Sequence, residues 1–472
     1  MDTCMRTAVL HSILTLALML SLVAQGQSNI GDRYPVSVVM QMIDQAEAGE
    51  TVRIPAGVYE GNLVVRKSVT LEGKDGAIFD GLGKGTVIEV LTENVTIRGC
   101  TIRSSGIDVT GEPSAIRVVA PRATIESNII QDVLFGIDLR ESPGSVIRDN
   151  MIVCKDLEPG RRGDGIRLWW SHGCVVDGNT VHSSRDMVFW YSENLQIVRN
   201  TVTDSRYGLH FMYSHDTVLE ENDLRNNSVG VYLMYSNRIT LRGNRMQNNR
   251  GASGYGIGLK DCDDISIDGN ALLSNRVGVY LDNSPSSIGS TGLFISNMIA
   301  FNEVGLLATP NTHDNVFTQN AFIENESPAA THGRGQLVSN DFSNGDLGNY
   351  WSDYAGFDLD DDGIGDVSYE PISLFGAMLA NEPNLRLFIH SPAQQAIEFT
   401  ARALPELRPN PTLIDPLPLS TPPQVDLNLQ ETAGNSRLMG IFAAFLVSVA
   451  VACLLAFAGE QGLKLEKTGD SL

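Results

Sequence analysis

The feature that most constrains this chain is a recurring asparagine. It trails a β-rich run and is followed by a small or polar residue and then an apolar one, at Asn128, Asn150, Asn179, Asn200, Asn222, Asn244, Asn270, Asn297, Asn320 and Asn340. The spacings are 22, 29, 21, 22, 22, 26, 27, 23 and 20 residues, so the unit is about 22 residues with loop insertions. Each unit reads as two short strands and two turns, with the pattern I-x-N-x-I followed by G-[VIL]-x-L. Strands this short cannot bury an apolar side alone, so successive units must stack. Parallel stacking at ~4.8 Å puts equivalent residues above one another, and the asparagine amides then bond along a column. The expected fold is all-β: a right-handed parallel β-helix of ~22-residue coils. Leucine-rich repeats have a similar period but need an L-x-x-L-x-L spacing that is missing here.

Composition shifts divide the 472 residues. Residues 1–26 have the layout of a secretory signal, with Arg6 ahead of the apolar run VLHSILTLALMLSLVA. Residues 34–376 are the expected β-helix, closed at 343–376 by a segment rich in aromatic and acidic side chains. Residues 382–436 are proline-rich and weakly periodic, which predicts a semi-rigid linker. Residues 438–458 carry no charge and are long enough to span a bilayer, leaving 459–472 as a short cytoplasmic tail. This order places the body in the periplasm, tethered to the cytoplasmic membrane. A formal charge of −22 argues against nucleic acid as a partner. Cys100, Cys154, Cys174 and Cys262 could pair in three ways in an oxidising compartment, Cys154 with Cys174 being favoured; buried thiols are the alternative.

Stacking makes the strand strings readable as columns. Aligning GIRLWWS, MVFWYS, GLHFMYS, GVYLMYS, GIGLKDC and GVYLDNS gives two inward columns: Ile166, Met187, Leu209, Val231, Ile257, Val279, and Leu168, Phe189, Phe211, Leu233, Leu259, Leu281. The outward columns hold Arg167, Val188, His210, Tyr232, Gly258, Tyr280 and then Trp169, Trp190, Met212, Met234, Lys260, Asp282. Trp169, Trp190, Met212, Met234, His210 and Tyr232 thus form an expected outer wall of aromatic, thioether and imidazole groups. A covering loop would turn such a wall into ordinary core; left open, it marks a partner surface. Thioethers beside an imidazole suit Cu(I), since soft sulfur selects it over harder divalent ions. His182 and His215, in flanking turns, could add nitrogen ligands.

In GFDLDDDGIGD, Asp358, Asp360, Asp362 and Asp366 have the oxygen-ligand spacing of a calcium loop, with Gly363 at the sharp turn and no glutamate at the twelfth position. A structural calcium ion is the expectation, and an acid-rich capping turn the alternative. Parallel β-helices can host carbohydrate enzymes, which need paired carboxylates or a base in a groove. The cluster Asp261, Asp263 and Asp264 has no evident acid partner, and no nucleophilic triad, phosphate loop or zinc spacing is present in the sequence.

SRYGLHFMYS, SVGVYLMYS, GDGIRLWWS and NYWSDYAGFDLDDDGIGDV together resemble the NosD family over about residues 34–374. The resemblance implies a non-catalytic periplasmic β-helix needed to mature nitrous-oxide reductase. Its implied partners are an ABC-type ATPase, a membrane permease, a lipoprotein copper chaperone that delivers Cu(I), and the apo reductase. The span at 438–458 departs from the family's usual soluble form. A carbohydrate-active or glycan-binding β-helix, with tryptophans stacking on sugar rings, is the competing expectation.

Overall fold

The computed structural model describes residues 32–423, apart from 75, 334, 390, 405, 407 and 408. The expected signal at 1–26, the span at 438–458 and the tail at 459–472 lie outside the described residues. Among the described residues no helix is long and apolar enough to cross a membrane.

One coil shows how the sequence becomes a solenoid. Thr201–Thr203, Tyr207–Met212 and Thr217–Glu220 are three strands on three faces, and Asp223–Arg225 begins the next coil on top of the first. Repetition yields three parallel sheets of 14, 12 and 12 strands, wound right-handed. The alternation sends Leu209 and Phe211 inward to full burial, and the Phe189 and Phe211 rings stack at 4.6 Å. Val202 and Leu219 fill the core from the other two faces of the coil.

The corners carry the polar half of the design. Asn222 donates its backbone N–H and its Nδ2 to Asn244 Oδ1, at 3.0 and 2.9 Å, and donates Nδ2 to the Ile197 carbonyl at 2.8 Å. The same bonds run from Asn128 to Asn320, but the next rung is Asn349, which accepts from Asn320 at 3.1 and 2.8 Å. Asn340, expected on this column, pairs with Asn315 in a separate short ladder. The chain makes a longer excursion after the Ala321–Ile323 strand, and both asparagines fit the local pattern. Two further ladders were not expected: Asn227, Asn249, Asn275, Asn302 and Asn325 at one corner, and Ser142, Ser171, Ser192, Ser214 and Ser236 at another.

The four cysteines among the described residues are free and buried, which corrects the expected Cys154–Cys174 disulfide. They are ladder and core residues. Cys100 donates its N–H to Asn128 Oδ1, and Cys262 to Ser284 Oγ. Burial pushes the thiols of Cys100, Cys154 and Cys262 up to about 12 and that of Cys174 to about 11.

Both ends of the stack are covered. The helix Ser37–Gln45 buries Val39 and Ile43 at the first coils. At the other end Trp351 stacks between Phe322 (4.2 Å) and Tyr369 (4.4 Å). The expected linker at 382–436 is corrected over its described part. Helices Leu374–Asn381 and Pro392–Ala403 pack together, and residues 411–420 return to the last coil. Leu419 bridges Tyr350 and Ile364, and Asp415 bridges Tyr369. Asp415 is buried and continues the asparagine column, accepting from Asn349 N–H at 2.8 Å and Trp351 Nε1 at 2.9 Å.

Candidate functional site

The site is built on the sheet that contains Ile166–Trp169, Asp186–Trp190, Tyr207–Met212 and Val229–Met234. Register partners run Trp169 to Trp190 to Met212 to Met234, and Arg167 to Val188 to His210 to Tyr232. Met212 and Met234 therefore sit one above the other, and His210 lies two residues before Met212 on the same outward face.

The two outward columns differ in exposure. Trp169 is 41% exposed, and Trp190, Met212 and Met234 are half-buried. The other column is more closed: Val188 is fully buried, His210 is 7% exposed and Tyr280 is 9% exposed, while Tyr232 is half-buried. The sequence reading of His210 as a surface residue is corrected here. Tyr207 meets it edge-on at 4.9 Å, Trp190 does so at 5.7 Å, and Tyr232 lies 6.5 Å away. Arg206 in turn sits over the Tyr207 ring at 4.6 Å.

Sequence reasoning missed what holds His210. Its Nδ1 donates to Asp186 Oδ2 at 3.2 Å, and Asp186 is wholly buried. Arg206 Nε reaches the same carboxylate at 2.9 Å, with a second Arg206 bond beside it. Burial pushes the Asp186 carboxyl up, but the hydrogen bonds from His210 and Arg206 outweigh it and leave the group below its usual range. The other imidazole nitrogen, His210 Nε2, is buried and has no hydrogen-bond partner among the described residues. A bound ligand is one way to satisfy such an acceptor, and Trp190 Nε1 on the same wall is likewise buried without a partner among the described residues. Met212 follows two residues on along the same outward face and Met234 is its register partner, so this face carries nitrogen and soft sulfur, donor types that suit Cu(I).

A second aromatic column also escaped the alternation, because it lies at a corner. Trp170, Tyr191, Tyr213 and Tyr235 have φ of 51, 51, 52 and 52°, a left-handed backbone rarely tolerated by bulky residues. Their rings stack at 5.0, 5.4 and 4.9 Å with interplanar angles of 6, 8 and 13°. The same corner carries Glu141 below and Asp261 and Asn283 above. The aromatics thus occupy the four coils that carry the tryptophan and methionine column. The signal was in the strings WWS, WYS, MYS and MYS, where an aromatic always precedes the ladder serine.

The flanking histidines do not join the site. His182 lies on a strand of the 14-stranded sheet, 2.8 Å from Thr203 Oγ1. His215 Nδ1 accepts from the Asn237 N–H at 3.1 Å, so its remaining nitrogen carries the proton in the neutral ring. Below the wall, Arg167 clamps Glu112 and Asp138, and its hydrogen bonds above all hold the Glu112 carboxyl down at about 2. Asp263, from the acidic cluster, binds the N–H and hydroxyl groups of Ser286 and Ser287 and is structural.

In the acid-rich loop, ligand atoms of Asp358, Asp360 and Asp362 lie within 4.8 Å of one another. Gly363 takes φ 89° at the turn, and one Asp358 oxygen is buried without a partner. Asp366 is not part of the group; it accepts from the Leu359 N–H at 2.7 Å.

The family model described as periplasmic copper-binding protein (NosD) matches residues 152–356, the span that contains the wall. A probable ABC transporter binding protein NosD of Pseudomonas aeruginosa is 34% identical over 387 residues, covering 79% of this chain and 89% of that one. Its counterpart in Stutzerimonas stutzeri is 31% identical over 389 residues, covering 78% and 86%. Among solved structures, the A-module of the Azotobacter vinelandii mannuronan C-5 epimerase AlgE6 is similar at 14% identity and TM-score 0.49, covering 68% of this chain and 97% of that one. Fold and family model together define a β-solenoid of a periplasmic copper-binding class. The chain belongs to the NosD family.

Proposed function

We propose that this chain is a periplasmic accessory protein for copper-centre assembly of nitrous-oxide reductase. In this reading it receives Cu(I), or the chaperone carrying it, on the Trp169-to-Met234 face and presents it to the apo reductase. An ABC ATPase and permease are its membrane partners, a reading supported by the names of its relatives. Copper is cargo here, and no catalytic step is assigned to the chain.

One observation carries the proposal. Met212 and Met234 are register partners beside His210, whose Nε2 is buried and unpartnered. At the corner the Trp170, Tyr191, Tyr213 and Tyr235 rings occupy one another's faces, which leaves the competing glycan reading to Trp169 and Trp190 of the same wall.

Anaerobic titration of the purified protein with Cu(I), against a competing chelator, tests the site. The double substitution Met212→Ile, Met234→Ile conserves bulk on half-buried positions and is expected to leave the circular dichroism unchanged. It is expected to weaken Cu(I) binding by at least the ~10-fold seen when even an outer-shell partner is lost. Wild-type affinity in that variant would remove the metal role from this face. The Asp358, Asp360 and Asp362 carboxylates are the proposed calcium set, with a structural role. Calcium should raise the Tm of the wild type and leave that of Asp360→Asn unmoved; equal responses would refute the site.

A further inference from the structure

We propose that Asp186 is a positioning residue that presets the His210 imidazole as a metal donor, with the proton fixed on Nδ1 and the Nε2 lone pair left open. The inference rests on the reading of His210 as a copper ligand.

Asp186 begins the strand Asp186–Trp190, one coil before His210, and is wholly buried. Arg206 clamps the carboxylate through two nitrogens, and the Tyr207 N–H reaches its Oδ1 at 3.2 Å. A carboxylate surrounded by cation and amide donors can only accept. The imidazole nitrogen facing it at 3.2 Å must therefore carry hydrogen. A neutral ring holds one such proton, so Nε2 is then a bare lone pair, and it has no hydrogen-bond partner among the described residues. This is the arrangement in which an outer carboxylate orients a metal-binding histidine and raises its basicity.

Two nearby histidines show the opposite setting. His172 and His215, in the turns after this sheet, each accept a backbone N–H at Nδ1, from Glu193 and Asn237, both at 3.1 Å. In the neutral ring their protons sit on Nε2, so they serve as turn acceptors and have no bare Nε2. The protein therefore uses one residue type in two tautomers on one side of the solenoid. The difference follows from whether a buried carboxylate or a backbone amide faces Nδ1.

Selective ¹⁵N labelling of histidine in the full-length protein reads the tautomers directly from the ring nitrogen shifts. The expected wild-type result is a protonated Nδ1 and a bare Nε2 at His210, with the reverse at His172 and His215. A His210 ring protonated at Nε2 would overturn the proposal without any variant. In Asp186→Asn, Arg206 retains the amide oxygen and the NH₂ group turns to His210, so the ring should invert. Cu(I) affinity by chelator competition should then fall about 10-fold or more, towards that of His210→Ala. Met212→Ile should weaken binding while leaving the ring tautomer as in the wild type. If Asp186→Asn keeps both the nitrogen shifts and the affinity while His210→Ala loses copper, the positioning role fails and the ligand survives. If His210→Ala binds Cu(I) as tightly as the wild type, the ligand reading fails and the donor role with it; the nitrogen shifts separate that result from a failure of Asp186 to set the tautomer.

Discussion

A single ladder asparagine does several jobs at once. Asn222 Oδ1 accepts from both the backbone N–H and Nδ2 of Asn200 at 3.0 Å, while its own Nδ2 serves the Ile197 carbonyl and Asn244. The side chain is buried, so alanine would leave those partners without water to replace it. Asn222→Ala is expected to cost about 3 kcal/mol, from several newly unsatisfied groups at ~1 kcal/mol or more each. A surface change such as Gln196→Ala should stay within ~0.5 kcal/mol. Urea unfolding of the two variants side by side checks the contrast, and equal losses would mean that the ladder contributes little. The ladder was legible because asparagine recurs in sequence at the coil period. The state of His210 was not, because its carboxylate lies 24 residues earlier and Arg206 sits on the far side of that carboxylate. Residue type and strand parity place His210 outward; its burial depends on rings contributed by Trp190, Tyr207 and Tyr232.

At the scale of elements, strand parity carried most of the information. Inward and outward columns read from six strings agree with the register of the sheet from Ile166 to Asp282, except at Met187 and Leu209, where the ladder shifts between Asp186 and Val188. Corners resisted because their period is that of the coil and their backbone is left-handed, so an aromatic there counts as neither inward nor outward. Trp170, Tyr191, Tyr213 and Tyr235 were hidden in this way although they adjoin quoted strand residues. Holding bulky residues at positive φ costs of order 1–3 kcal/mol each unless neighbours compensate. Stacking along the corner is such a compensation, worth roughly 0.5–1.5 kcal/mol per pair. The proline-rich segment misled for a different reason. A linker is inferred from the lack of a period, but a closing segment pairs with the last coil through its backbone and needs none. Leu413 and Asp415 are fully buried in a stretch whose composition resembles a spacer.

For the whole molecule, a solenoid is nearly one-dimensional, so each coil senses its neighbours and little else. Its free end needs a cap, because the last coil otherwise leaves a core face and a row of ladder donors open. Asp415 fills that role, taking bonds from the Asn349 N–H, Trp351 Nε1 and the Leu417 N–H. Alanine at 415 would orphan the buried Trp351 indole and the last rung of the column. The consequence should be local. In Asp415→Ala, hydrogen exchange is expected to quicken by roughly 10-fold or more in the strands Asn315–Thr318, Ala321–Ile323 and Tyr350–Trp351, matching a local loss of ~1–3 kcal/mol. Tyr207–Met212 and Val229–Met234 lie several coils away along their sheet and should exchange as in the wild type, with Cu(I) affinity unchanged. Quickening spread evenly over all coils would mean that the stack melts as one cooperative unit. No quickening at the last coil would mean that residues 411–420 merely rest on a solenoid already closed by Trp351.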